Sequence, residues 1–140
     1  MPEPRMSRSQ PLVLVVDDEH SARLIMRATL EESGFEVLEA SCIAEAAEQF
    51  ARHDLDLIIL DVILPDGNGI QFCSALRQLP RGQNLPIAMA TGLDDVQSIQ
   101  LAYQSGATDF ITKPISWGTL GYRVRYLLRA HHAFGELALS

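Results

Sequence analysis

Five short apolar runs, each trailed by a stretch of helical spacing, restrict the fold of this chain more than any other feature. LVLVV (12–16) is a continuous apolar run, the pattern of a strand buried on both faces. Residues 20–33 then place Ala22, Leu24, Ile25, Ala28, Thr29 and Leu30 at helical spacing, closed by Gly34. FEVLE (35–39) reads as the second strand, and Ser41 is the expected cap of a helix over 42–52 with Ile43, Ala46, Ala47 and Phe50 on one face. LDLIIL (55–60) is the third strand. LPDGNG (64–69) is dense in turn residues, with Asp66 initiating the turn, and Ile70, Phe72, Cys73 and Leu76 mark the third helix. Pro86–Ala90 is the fourth strand, and Val96, Ile99, Ala102 and Tyr103 mark the fourth helix, ended by Gly106. ATDFIT (107–112) is the fifth strand, and Trp117, Leu120, Val124, Leu127 and Leu128 mark the fifth helix.

Strand–helix units in this succession define an α/β fold, a doubly wound parallel sheet of five strands with helices on both faces. The common strand order is 2-1-3-4-5, the flavodoxin-like arrangement. It puts the ligand crevice beyond the carboxyl ends of the strands, where the order reverses between strands 1 and 3. The 140 residues fit one domain. Residues 1–11 read as a disordered leader, 12–130 as the domain and 131–140 as a C-terminal connector or tail.

The strand ends carry the chemistry. Strand 1 ends in Asp17 and Asp18, strand 3 in Asp61, strand 4 in Thr91, and strand 5 in Lys113 followed by Pro114. Strand 2 ends in Glu39-Ala40-Ser41, to which no role is assigned. Like charges about 4 Å apart repel by on the order of 1 kcal/mol even in water, and by more in a sheltered cleft. Asp17, Asp18 and Asp61 therefore call for a cation. Carboxylates with main-chain carbonyls make a hard oxygen site suited to Mg²⁺. A metal ion, a lysine and a hydroxyl around one aspartate suit phosphoryl transfer to that aspartate, a reaction governed by positioning and charge stabilisation.

VVDDE (15–19), LDVILPDGNG (60–69), ATG (90–92) and TKP (112–114), each after its own strand, resemble the CheY-like receiver domain of two-component response regulators. The resemblance runs from about Leu12 to about Arg129. It implies that Asp61 is the phospho-acceptor, phosphorylated by a sensor histidine kinase or a histidine phosphotransfer protein. It implies that Asp18 binds Mg²⁺ directly and Asp17 through water, with the main-chain carbonyl of Ile63 as the remaining protein ligand. Thr91 is expected to reorient toward the phosphoryl group, Lys113 to pair with it, and the Lys113–Pro114 bond to be cis. By the same resemblance the domain is not an enzyme with a separate substrate but a phospho-acceptor that promotes its own phosphorylation and dephosphorylation.

Leu64 stands where many members of the family have Met. Phe110 stands at the family's switching aromatic, often Tyr; without a hydroxyl its switch, paired with Thr91, rests on packing. Ile63 and Leu93 are bulky and apolar at the two positions that, by this resemblance, tune water access to the acyl phosphate, so slower self-hydrolysis than in a variant with polar residues there is expected. The family reads phosphorylation on the face of helix 4, strand 5 and helix 5. Here helix 5 carries Arg123, Arg125, Arg129, Tyr122 and Tyr126 off its apolar stripe, and helix 4 offers Asp94 and Asp95, complementary charge for a symmetric homodimer or a downstream domain. The segment RVRYLLRAHHAFGELALS is similar to the connector into diguanylate cyclase or cyclic-di-GMP phosphodiesterase modules, so an output module of that kind is a further expectation.

Composition narrows the alternatives. With 18 Asp and Glu against 11 Lys and Arg, a net charge of −7, the domain lacks the basic surface that nucleic-acid binding requires. Cys42 and Cys73 form no CxxC pair and read as thiols of a reducing cytoplasm. The apolar runs are too short to span a membrane, and the N-terminus has no signal-peptide core. His20 reads as a solvent-edge residue beside the acids. A haloacid-dehalogenase-type phosphatase needs a second Asp two residues after the first, where this chain has Ile63. A flavodoxin-like FMN site needs a phosphate loop that DDEH would repel. A receiver fold acting as a scaffold without phosphorylation remains the rival reading.

Overall fold

Alternate residues of the central strands point into opposite apolar layers, and this parity organises the whole molecule. The computed structural model describes residues 10–92 and 96–139, with 133–139 as backbone only. The leader expectation over residues 1–9, and those for Leu93, Asp94 and Asp95, lie outside the described residues. The elements run β1 (Leu12–Val16), α1 (His20–Glu32), β2 (Glu36–Ala40), α2 (Ile43–Arg52) and β3 (Leu57–Asp61), then a small hairpin of β4 (Ile63–Leu64) and β5 (Gly67–Asn68). They continue through α3 (Gly69–Arg77), a 3-10 turn at Pro80–Gly82, β6 (Ile87–Thr91), α4 (Val96–Gln104), β7 (Asp109–Thr112) and α5 (Trp117–Leu139). The five long strands form one parallel sheet ordered β2-β1-β3-β6-β7, the 2-1-3-4-5 order expected once the hairpin strands are set aside.

Leu12, Leu14, Val16, Ile58, Leu60, Ile87 and Met89 pack in one layer with Ala46 and Phe50 of α2, Cys73 and Leu76 of α3 and Ala102 of α4. Val13, Val15, Leu57, Ile59, Ala88 and Ala90 pack in the other with Met26 and Leu30 of α1 and Leu120, Val124, Leu127 and Leu128 of α5. Every residue of β1, β3 and β6 is buried, so their continuous apolar runs follow from double-sided coverage.

Helix faces and caps depart from expectation in particular places. On α1 the buried residues are Met26 and Leu30, while Leu24 and Ile25 are 49% and 45% exposed. Both faces of that helix carry apolar residues, so periodicity alone could not choose between them. On α2 Ala47 faces solvent, and on α4 only Ala102 is fully buried, with Val96 and Tyr103 exposed. Ser41 does not cap α2: its hydroxyl and amide bond the Glu45 carboxylate at 2.7 and 2.6 Å. The cap comes from Asp66, whose two carboxylate oxygens accept from the Ile43 and Ala44 amides at 2.8 and 3.0 Å. The turn acid of LPDGNG thus fastens the hairpin after β3 to the start of α2.

At the amino ends of the strands Arg77 gathers the loops. Its guanidinium donates to the carbonyls of Gly82 and Leu85 at 2.7 and 2.6 Å and to that of Gly106 at 2.6 and 2.9 Å. Helix α5 runs unbroken from Trp117 to Leu139. Replacing Asp66→Ala is expected to lower Tm and to speed amide exchange at Ile43 and Ala44, whereas Ser41→Ala leaves those two amides protected; thermal melting and NMR-detected exchange check both.

Candidate functional site

The register of the sheet brings the polar strand ends together. Val16 pairs with Leu60, Asp61 with Ala90 and Thr91 with Thr112, so β1, β3, β6 and β7 end level with one another. Asp17, Asp18 and Asp61 offer carboxylate oxygens within 4.8 Å of one another. Asp17 is 1% exposed and Asp61 7%, while Asp18 faces solvent. The Lys113 ammonium lies between the two buried acids, 2.8 Å from Asp17 Oδ2 and 2.8 Å from Asp61 Oδ2. The Lys113–Pro114 bond is cis.

Local hydrogen bonds hold each group in place. The Asp17 amide donates to the Ala40 carbonyl at 3.1 Å, and Asp17 Oδ1 accepts from the Glu19 amide at 2.9 Å. Asp61 Oδ1 accepts from the Ile63 amide at 3.2 Å. The Lys113 amide donates to the Thr91 carbonyl at 2.9 Å, tying the ends of β6 and β7. Thr91 is buried at the end of β6, one residue beyond the partner of Asp61. Phe110 is half-buried on β7 against the α2–α3–α4 layer. The Ile63 side chain is 63% exposed at the mouth of the hairpin.

Glycine is required where the hairpin meets α3. The Gly69 amide donates to the Val62 carbonyl at 2.7 Å, and a Cβ built on Gly69 would stand 2.0 Å from the Asp61 carbonyl oxygen. Any side chain there pushes on the main chain of Asp61. Asn68 completes the turn by accepting from the Ile70 amide at 2.7 Å.

The electrostatics are those of crowded acids around one cation. Burial raises the Asp61 carboxyl above its ordinary range, against the hydrogen bond and charge of Lys113. Burial pulls the Lys113 ammonium down, but the hydrogen bonds and charges of Asp17 and Asp61 outweigh it and hold its pKa above the ordinary value. Three carboxylates and no nitrogen or sulfur donor form a hard set that fits a small divalent cation such as Mg²⁺.

Sequence reasoning passed over Glu39, Arg23 and Arg27. Glu39 at the end of β2 accepts from Arg23 Nε at 3.3 Å and from Arg27 Nη1 at 2.6 Å, and Arg23 also donates to the Asp17 carbonyl. The available signal was two arginines four residues apart on one face of the helix that follows the acids. Two of the three arginines singled out on α5 have partners within the domain: Arg123 donates to Asp109 and to the Phe110 carbonyl, and Arg125 donates to the Ser33 carbonyl beside the Phe35 ring.

A doubly wound sheet with an acid–lysine pocket at its switch point has the architecture of a CheY-like domain. The family profile described as the response regulator receiver domain matches residues 13–125, and the chain belongs to that family. Over 117 residues it is 40% identical to the alkaline phosphatase synthesis transcriptional regulatory protein PhoP of Bacillus subtilis (strain 168), covering 84% of this chain and 48% of that one. A putative response regulator from Chloroflexus aurantiacus J-10-fl superposes with a TM-score of 0.82 at 32% identity, covering 86% of this chain and 99% of that one. The chemotaxis response regulator CheY4 of Vibrio cholerae superposes with a TM-score of 0.81 at 31% identity, covering 85% and 99%. The chain spans about half the length of the curated relatives it matches. Receiver domains generally use Mg²⁺ at an acidic pocket of this kind and act with histidine kinases or phosphotransfer proteins. Among the described residues no helix is long and apolar enough to cross a membrane.

Two outcomes follow from this geometry. Gly69→Ala is expected to destabilise the domain by about 1–3 kcal/mol in denaturant melts, through displacement of the Asp61 main chain. Glu39, whose carboxyl is held below its ordinary value chiefly by the Arg27 hydrogen bond, contributes stability that is present above the unfolded-state pKa and lost as pH falls through its depressed folded-state value. The Tm gap between the wild-type chain and Glu39→Gln should therefore be full at neutral pH and shrink progressively as pH falls below the ordinary glutamate value of about 4.3, as acid-range melts will show.

Proposed function

We propose that the domain accepts a phosphoryl group on Asp61 from the phosphohistidine of a sensor histidine kinase or a phosphotransfer protein. It passes the signal on through the face of α4, β7 and α5. The observation that carries this reading is the Lys113 ammonium, 2.8 Å from both Asp17 and Asp61. In the transfer, a carboxylate oxygen of Asp61 forms the new P–O bond as the P–N bond of the donor breaks, and that electron pair leaves with the imidazole nitrogen. The product is an acyl phosphate.

The residues of the chain divide the work. Lys113 offsets part of the acids' charge at rest and offers a fixed cation to the arriving phosphoryl oxygens. The Ile63 amide and the close packing of Gly69 hold Asp61 in place. Asp17, Asp18 and Asp61, with the Ile63 carbonyl, are the groups that would hold Mg²⁺. When bound, that ion supplies positive charge for the phosphoryl oxygens. The Thr91 hydroxyl, at the end of the neighbouring strand, is assigned to the bound phosphoryl group. Its movement, with a packing change at Phe110, biases the output face. The domain is thus a phospho-acceptor rather than an enzyme with a separate substrate.

Output follows from α5. Its continuation as one helix to Leu139 supports a connector to an output module or a homodimer contact. The transcriptional regulators among the relatives favour gene control as the output, beside the cyclic-di-GMP module suggested by the connector. The free cysteines Cys42 and Cys73 fit the reducing cytoplasm in which we place the domain.

Incubation with Mg²⁺ and acetyl phosphate or phosphoramidate is expected to add one phosphate mass that Asp61→Asn abolishes and that does not form without Mg²⁺. A wild-type chain that stays unmodified in mass spectrometry would instead support the scaffold reading.

A further inference from the structure

Arg23 is built into the acidic loop rather than displayed on the outside of α1. Its Nη1 donates to the main-chain carbonyl of Asp17 at 2.7 Å, and its Nε bonds Glu39 Oε1 at 3.3 Å. Arg27, one turn further on, grips the other oxygen of Glu39 at 2.6 Å. The Arg23 and Glu39 side chains are only 14% and 22% exposed, so water competes weakly for these bonds. With this contact each polar group of Asp17 has its own partner. The amide meets the Ala40 carbonyl, the carbonyl meets Arg23, Oδ1 meets the Glu19 amide and Oδ2 meets Lys113. The loop that presents Asp18 is thereby pinned from behind by β2 and α1 together.

We propose that Arg23 is a positioning residue of the pocket: anchored on Glu39, it fixes the main chain at Asp17 and so sets the affinity of the three carboxylates for a divalent cation. The proposal rests on the phospho-acceptor reading of the pocket and names a residue pair which that reading does not assign. Its sign separates it from simple charge. A cation beside three carboxylates opposes the binding of a second cation, so loss of Arg23 would tighten Mg²⁺ binding if charge were its whole contribution. Loss of a positioning group loosens it, because the ligands must then be ordered on binding.

The test is Mg²⁺ titration calorimetry on the full chain and on Arg23→Met, Arg23→Lys and Glu39→Gln, joined to amide exchange of the metal-free proteins. Arg23→Met and Glu39→Gln are each expected to weaken Mg²⁺ binding about tenfold, and the double variant to be no weaker than the singles. Exchange at the Glu19 amide should speed up in both, without metal. Arg23→Lys keeps the charge but not the fork, and should recover only part of the affinity. Wild-type or tighter binding in Arg23→Met, with Glu19 exchange unchanged, overturns the proposal. Should Arg23→Met not fold, wild-type affinity in both Arg23→Lys and Glu39→Gln overturns it equally. A wild-type chain that binds Mg²⁺ but forms no Asp61 adduct counts against the phospho-acceptor reading alone, and one that binds no Mg²⁺ sinks both.

Discussion

The ammonium of Lys113 meets Asp17 from 96 residues away and Asp61 from 52, and the upper rim of the sheet is arranged around that meeting. Two nearly buried carboxylates cannot stand side by side without a counter-charge, because desolvation and mutual repulsion both act against the ionised forms. The parallel register supplies the counter-charge. β1 and β3 are neighbours, β3 pairs with β6, and β6 pairs with β7, whose last residue precedes Lys113. Strand order, therefore, is what converts a destabilising cluster of acids into a site with a defined charge balance.

The two adjacent aspartates that follow β1 are chemically unequal. Asp17 is buried, and each of its polar groups has a partner. Asp18 faces solvent, and its carboxylate makes no hydrogen bond among the described residues. One acid belongs to the framework of the pocket, and the other stands open to solvent. At the end of β3 both oxygens of Asp61 are engaged, one by the Ile63 amide and the other by Lys113.

How far the sequence could be read depended on the range of the interaction. Doubly covered strands leave a local mark, an unbroken apolar run such as LVLVV or LIIL, and polar residues ending such runs point to the crevice. The fold and the members of the pocket were legible for that reason. Helix faces were less so: α1 has Leu24 and Ile25 on its outer side as well as Met26 and Leu30 on its inner side, and apolar periodicity does not say which side meets the sheet. Caps and braces made across long separations left no local mark. Asp66 reads as a turn residue in its own stretch, and Glu39 as nothing in particular, because their partners lie on other elements.

The two rims of the sheet are fastened by different means. At the lower rim one guanidinium, that of Arg77, ties the carbonyls of Gly82, Leu85 and Gly106, clamping the tail of α4 to the loop before β6. At the upper rim the strand ends are held by ionic contacts whose balance changes with every charge that enters or leaves. The carboxyl end of α4 is thereby held by Arg77 through the Gly106 carbonyl, at the rim that carries none of the pocket's charges.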